Sequence, residues 1–197
     1  MFLDALSQRL GKPVQEITIG EDRLALILLG DSKGAVLCTL ELSKSRLPVP
    51  ELYHAEAVIE LYFLLPEYWQ FDLEHPLFNW AANRLIAIKK YLVQGHWAIS
   101  GHTFELGELP EGRFKEQGFS ALLLMDPIAL SELSSKIDVA GMEVQCKALC
   151  PIFKMEKDVK EARGNIKFLH RLRDNGITER LDEFRASVIK PRFLFWR

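Results

Sequence analysis

The chain has 197 residues, of which 48% are hydrophobic and 26% charged, with a net charge of −2. At this length about 70% of the unfolded chain's surface can be buried, which supports one core, needs no second domain and excludes disorder as the main state. Three cysteines are too few and odd in number for a disulfide scaffold.

At the N-terminus, Phe2, Leu6 and Leu10 share one helical face and Gly11 is a stop. The segment carries an early acid, Asp4, and has neither a basic n-region nor an apolar h-region, so it does not read as a secretory signal. The longest apolar stretch, Leu61 to Pro66, falls far short of the roughly 20 residues a bilayer requires. The expectation is a cytoplasmic protein without a membrane partner.

Arg23 to Gly30 is short and apolar on both faces, as a central strand would be, and Gly34 to Leu42 reads as a second strand. Glu56 to Leu65 places Ala57, Ile59, Leu61, Phe63 and Leu65 on one face and Glu60 and Tyr62 on the other. This is the pattern of a half-buried strand, ended by Pro66. A helix follows, with His75 as N-cap, Pro76 at its first position and Gly95 closing it; Leu77, Phe78, Ala81, Leu85, Ile88 and Leu92 form its apolar stripe. The aromatics Trp69, Phe71, Phe78 and Trp80, around this junction, read mainly as core.

Glycines and a proline break residues 101–118 into loop and short extended pieces. Phe119 to Met125 is a buried strand stopped by Asp126-Pro127, and Met142 to Phe153 alternates as a strand. The period then turns helical along Val159, Ala162, Ile166, Leu169 and Leu172, with a break at Gly164-Asn165 and a stop at Asn175-Gly176. Lys190 to Arg197 is an aromatic and basic tail. Strands come in groups without strict βαβ alternation. The expected fold is therefore α+β: a single domain over residues 1–197, with a mixed, mostly antiparallel sheet packed with α-helices.

Charge is uneven. Residues 1–153 hold 13 Lys/Arg against 20 Asp/Glu, and residues 154–197 hold 12 against 7. The basic residues Lys154, Lys157, Lys160, Arg163, Lys167, Arg171 and Arg173 are interspersed with Glu156, Asp158 and Glu161, the pattern of a solvated helix face and not of a nucleic-acid site.

Motifs for catalysis are absent: no nucleophile elbow, no P-loop, no G-x-G-x-x-G and no metal spacing among the five histidines. No cofactor is expected. Cys146 and Cys150, four residues apart on a strand, are about 13 Å apart and read as small buried hydrophobes. Glu56 and Glu60 share the same spacing, wider than a glycosidase carboxylate pair. His96, Trp97 and His102, on a loop, and Asp126 and Glu156, at strand ends, are the candidate partner-binding residues. Each also fits a cap, turn or surface charge. A small-ligand site or an enzyme using the His96–His102 loop is the alternative.

A resemblance adds to this. The blocks Leu64-Leu65-Pro66-Glu67-Tyr68-Trp69, the helix with Trp80 and Leu85, Gly101-His102-Thr103, Phe119-Ser120-Ala121-Leu122-Leu123-Leu124 with Asp126-Pro127, Leu149-Cys150-Pro151-Ile152 leading to Glu156, and Gly164 with Leu169-His170-Arg171-Leu172 occur in this order. From about Glu41 to Val188 the chain resembles the suppressor-of-fused-like domain family. The resemblance implies a mixed α/β domain that binds other proteins and catalyses nothing. Animal members, which carry a second lobe, hold an extended peptide of a zinc-finger transcription factor between lobes. Bacterial single-domain members are implied to be immunity proteins that neutralise a cognate toxin by direct contact. A partner protein, or an extended peptide added at an open sheet edge, is the expected ligand.

Overall fold

The computed structural model describes residues 1–30 and 33–189; the tail from Lys190 to Arg197 lies outside the described residues. Helix α1 (Phe2–Leu10) ends at Gly11, which takes the left-handed conformation at φ 62°. Three strands follow, β1 (Gln15–Ile19), β2 (Asp22–Leu28) and β3 (Ala35–Thr39), then two 3-10 segments, Leu42–Lys44 and Glu51–Glu56. Next come β4 (Ile59–Leu65), α2 (Pro76–Val93), β5 (Thr103–Glu105), the short α3 (Arg113–Glu116) and β6 (Phe119–Met125). A 3-10 turn at Ser131–Leu133 leads to β7 (Ile137–Val139), β8 (Met142–Phe153), α4 (Lys154–Arg163) and α5 (Asn165–Asp174).

The strands form one mixed sheet in the order β1-β2-β3-β4-β8-β6-β5, with β7 paired to the start of β8. Every pairing is antiparallel except β4 with β8, where Ile59 to Tyr62 run alongside Gln145 to Ala148. The expected α+β fold with a mostly antiparallel sheet is what the chain adopts.

Both faces of the sheet are covered, which explains the continuous apolar runs. On one face Leu24, Leu37, Leu61, Phe63, Leu122 and Leu149 pack against Phe78, Trp80, Ala81, Leu85 and Ile88 of α2. On the other, Ala25, Ile27, Cys38, Tyr62 and Cys146 meet Phe2 and Leu6 of α1, and Ala121, Leu123 and Ile152 meet Phe168 and Leu172 of α5. Strand β4 is therefore buried on both faces, not half-buried as its alternation suggests. Ile166, expected on the apolar stripe, is 74% exposed. Gly164, at φ 86°, ends α4 and restarts the helical phase, which turns Ile166 outward.

Two tight hairpins set the register. Gly20 takes the left-handed region at φ 59° at the first turn position between β1 and β2, where a two-residue hairpin favours glycine. Between β7 and β8 both turn residues have positive φ, Ala140 at 54° and Gly141 at 84°. That geometry suits Asn-Gly, and an alanine there carries a steric cost of about 1–2 kcal/mol.

Two buried carboxylates tie residues 177–189 onto the sheet. Glu179 accepts hydrogen bonds from the Tyr62 hydroxyl at 3.0 Å and from the N–H groups of Ile128, Ala129 and Leu130 at 3.1, 2.8 and 3.1 Å. Glu156, on the first turn of α4, is fully buried. It accepts from the N–H of Phe153 and Val188 at 3.0 and 2.9 Å and pairs with both Arg185 end nitrogens at 2.9 and 2.6 Å. Arg185 in turn donates to the Pro151 carbonyl and lies over the Phe119 and Phe153 rings. Burial pushes the Glu156 pKa up, but Arg185 and the two backbone N–H groups outweigh it and hold the carboxyl below its ordinary range.

Inside the sheet, Glu60 points its carboxylate at Thr39 Oγ1 (2.6 Å) and at the Ser43 N–H and hydroxyl (3.0 and 2.7 Å). Burial dominates these hydrogen bonds and raises its pKa to about 7.

Three outcomes follow from these features. Ala140→Asn should stabilise the protein by about 1 kcal/mol, raising Tm by roughly 2–4 °C in a thermal melt. Arg185→Met leaves the Glu156 charge buried and unpaired, and should cost about 3–5 kcal/mol, read from the urea midpoint. Because Glu60 binds its proton more tightly folded than unfolded, its contribution is fully present below the ordinary carboxylate pKa and is lost as pH rises through about 7. Glu60→Gln should therefore flatten the decline in wild-type Tm between pH 5 and 7.5; unchanged slopes would show that Glu60 does not titrate there.

Candidate functional site

Strand β5 is the last strand of the sheet, so one of its edges is open. The Leu124 N–H donates to the His102 carbonyl at 2.8 Å, and Thr103 stands opposite Leu123. In an antiparallel ladder this phase turns Phe104 towards β6 and leaves the N–H and C=O of Thr103 and Glu105 aimed outward. The opposite sheet edge, β1, is open in the same way at Glu16 and Thr18.

Helix α2 lies beside β5. Trp80, Arg84, Ala87 and Tyr91 recur at helical spacing on the side facing the edge strand. Two cavities lie along it. One, of about 600 Å³, is lined by residues including Asn79, Trp80, Arg84 and Leu106 to Glu111. The other, of about 500 Å³, is lined by residues including Arg84, Tyr91, Trp97, His102 and Thr103 to Glu105. They share Arg84 and Ala87 and so form one groove between helix and edge strand. Its wall is aromatic: the exposed Tyr91 meets half-buried Phe104 edge-on at 6.5 Å, and Trp97 is 38% exposed. The Trp80 indole N–H donates to the Leu106 carbonyl at 3.2 Å and holds the outer loop to the helix.

The structure gathers some of the nominated residues here and not others. Trp97 and His102 line the groove together, their rings 4.9 Å apart. Burial, with Lys160 in support and Glu56 in opposition, lowers the His102 pKa. His96 is not among the lining residues of either cavity; its ring stacks flat at 3.9 Å on Tyr91, which is. Asp126 sits at the end of β6, the corner at which β5 begins. Its side chain is 68% exposed, yet it accepts from Lys147 Nζ at 2.7 Å and from the Ser100 hydroxyl at 3.1 Å. Glu156 is inside, its carboxylate enclosed by Arg185 and backbone N–H groups, and offers no surface to a partner. For the same reason it does not neutralise the basic face of α4, where Glu161 pairs with Lys157 at 3.9 Å.

Glu56 and Glu60 are not a pair on one strand face. Glu56 lies in a 3-10 turn before β4. Its carboxylate takes Lys147 Nζ at 2.9 Å and the Ser100 N–H at 2.8 Å. Lys147, 4% exposed, spends its donors on Glu56, Asp126 and Ser100, so its charge is compensated and the loop before His102 is fastened to β8.

Arg84 and Tyr91, which line the groove, and Lys147, which fastens the loop leading to it, are the residues the sequence pattern did not single out. Spacing along α2 carried a signal for the first two, since Arg84, Ala87 and Tyr91 recur at i, i+3 and i+7.

The three cysteines are free and buried, and burial raises their thiol pKa values, to about 12 at Cys146 and Cys150. None supplies a thiolate at neutral pH. Among the described residues no cluster of His, Cys, Asp and Glu is placed to hold a metal, and no helix is long and apolar enough to cross a membrane.

Comparison with known proteins follows the same lines. Crystal structures of suppressor-of-fused proteins share the fold. A homologue from Neisseria gonorrhoeae FA 1090 aligns over 96% of this chain and 95% of its own, at 13% identity and a TM-score of 0.62. The Sufu–Fu complex structure aligns over 95% and 90%, at 19% identity and a TM-score of 0.63. Drosophila Suppressor of Fused aligns over 95% of this chain but 50% of its own, at 18% identity and a TM-score of 0.54. No curated protein matches the chain. The family model for Suppressor of fused protein (SUFU) matches residues 20–186, and the chain belongs to that family.

Proposed function

We propose that this chain is a non-enzymatic protein-binding domain that takes an extended segment of its partner as an added strand on β5. The observation that carries the reading is the outward row of Thr103 and Glu105 backbone groups beside an aromatic groove of helix α2. Strand addition supplies affinity through main-chain hydrogen bonds and specificity through side-chain pockets, and it requires no catalytic residue. Edge β1 offers backbone groups too, but residues 15–19 line none of the cavities beside α1, β7 and the loop at residues 41–44. A family relative has been crystallised in complex with Fu, which supports a protein as the ligand class.

The finer reading is a cytoplasmic, bacterial-type immunity protein that blocks a cognate toxin by direct contact. The chain aligns along nearly the whole of the Neisseria homologue and along 90% of the chain in the Sufu–Fu complex, which supports the shared domain; the toxin as partner rests on the family resemblance alone. Trp97 and His102 on the groove wall favour a second reading, a small-ligand binder or enzyme at the His96–His102 loop.

Proline removes an outward N–H without breaking the ladder behind it. Thr103→Pro should therefore abolish retention of the partner captured from the source cell, while Thr18→Pro, its counterpart on β1, should leave retention unchanged. Loss with Thr18→Pro alone would move the site to the other edge. Turnover of a small molecule, lost in His102→Ala, would replace the binding reading with the second one. Growth rescue on co-expression with the product of the neighbouring gene would test the immunity reading, and failure of rescue there would remove it.

A further inference from the structure

Arg84 and Ala87 belong to both halves of the groove, and among the described residues the Arg84 guanidinium has no hydrogen-bond or ion-pair partner. It forms no ion pair among the described residues, and its Nε is buried without an acceptor. Glu105 is near enough to stabilise its charge electrostatically but makes no bridge to it, and burial lowers its pKa. The guanidinium lies close over the Gly107 backbone: a Cβ there, at φ 71°, would come within 3.2 Å of the Arg84 end nitrogen. A buried donor left unpaired keeps an uncompensated desolvation cost, so the Arg84 Nε–H calls for an acceptor from elsewhere.

Resting on the reading that β5 takes an added strand, we propose that Arg84 selects a partner segment bearing an Asp or Glu side chain at a position facing α2. The planar fork of Arg matches a carboxylate at two points, which a lysine ammonium does not. Side chains of a strand added to β5 alternate between the α2 side and the opposite side. Every second residue thus faces the helix stripe on which Arg84 stands, and a carboxylate there meets the guanidinium at the junction of the two cavities. Other charged groups on the groove set the flanks. Glu105 and Glu108 make no ion pair among the described residues, Glu111 bridges to Lys115, and His102 lies at the far end. An acidic residue flanked by basic ones is the complementary pattern.

The test is a display library of random dodecapeptides selected on the wild-type protein, with the selected peptides then synthesised and titrated. Peptides lost on Thr103→Pro should be enriched in Asp or Glu at one register position. Their affinity should fall about ten- to a hundredfold on Arg84→Ala, further on Arg84→Glu, and be only partly kept by Arg84→Lys. Thermal melts establish that each variant is folded. Peptides sensitive to Thr103→Pro but without acidic enrichment, binding Arg84→Glu as well as wild type, would overturn the role of Arg84 and leave the edge-strand reading standing. A library that yields no peptide sensitive to Thr103→Pro would overturn both.

Discussion

The parallel pairing of β4 with β8 is the join on which the architecture depends. It fuses an N-terminal antiparallel unit, β1 to β4, with a C-terminal one, β8, β6 and β5, into one sheet. Parallel neighbours need a long crossover. The crossover here contains α2, β5, α3, β6 and β7, so the segment that joins the halves also builds the groove. Because β8 takes the place beside β4, β6 follows it and β5 is left at the rim beside the helix that covers the first face.

Charge inside this join is handled in two ways. Lys147, opposite Leu61 in the pairing, has carboxylate partners in Glu56 and Asp126 and a hydroxyl partner in Ser100. Glu60, opposite Cys146, has only hydroxyl and amide donors, and its proton is the cheaper compensation.

Much of the fold was legible because strands covered on both faces write unbroken apolar runs. Phe119–Met125 and Met142–Phe153 have the bounds their patterns suggest, and the Gly164 break and Pro76 start are where their residues place them. Strand β1, Gln15–Ile19, left no such trace, since it is an edge with two exposed polar residues at its start. The site was legible only in part. Loop residues Trp97 and His102 stand at the groove, but Glu156, read from its place beside a strand end, is consumed by Arg185, which lies 29 residues further along the chain. Burial of a charge depends on a long-range partner, and local pattern carries no record of it.

The two enclosed carboxylates, Glu156 and Glu179, have a mechanical consequence. Among the described residues the one backbone bridge from residues 177–189 to a strand joins Leu64 and Arg180, so tension applied at Ile189 is borne first by anchors on Glu156 of α4, on the Pro151 carbonyl of β8 and on the loop after β6. The loop among them continues β6, the strand that pairs with the rim strand β5. A load on the C-terminal side would thus be led towards β6, the neighbour of that rim strand, without first peeling the strands apart.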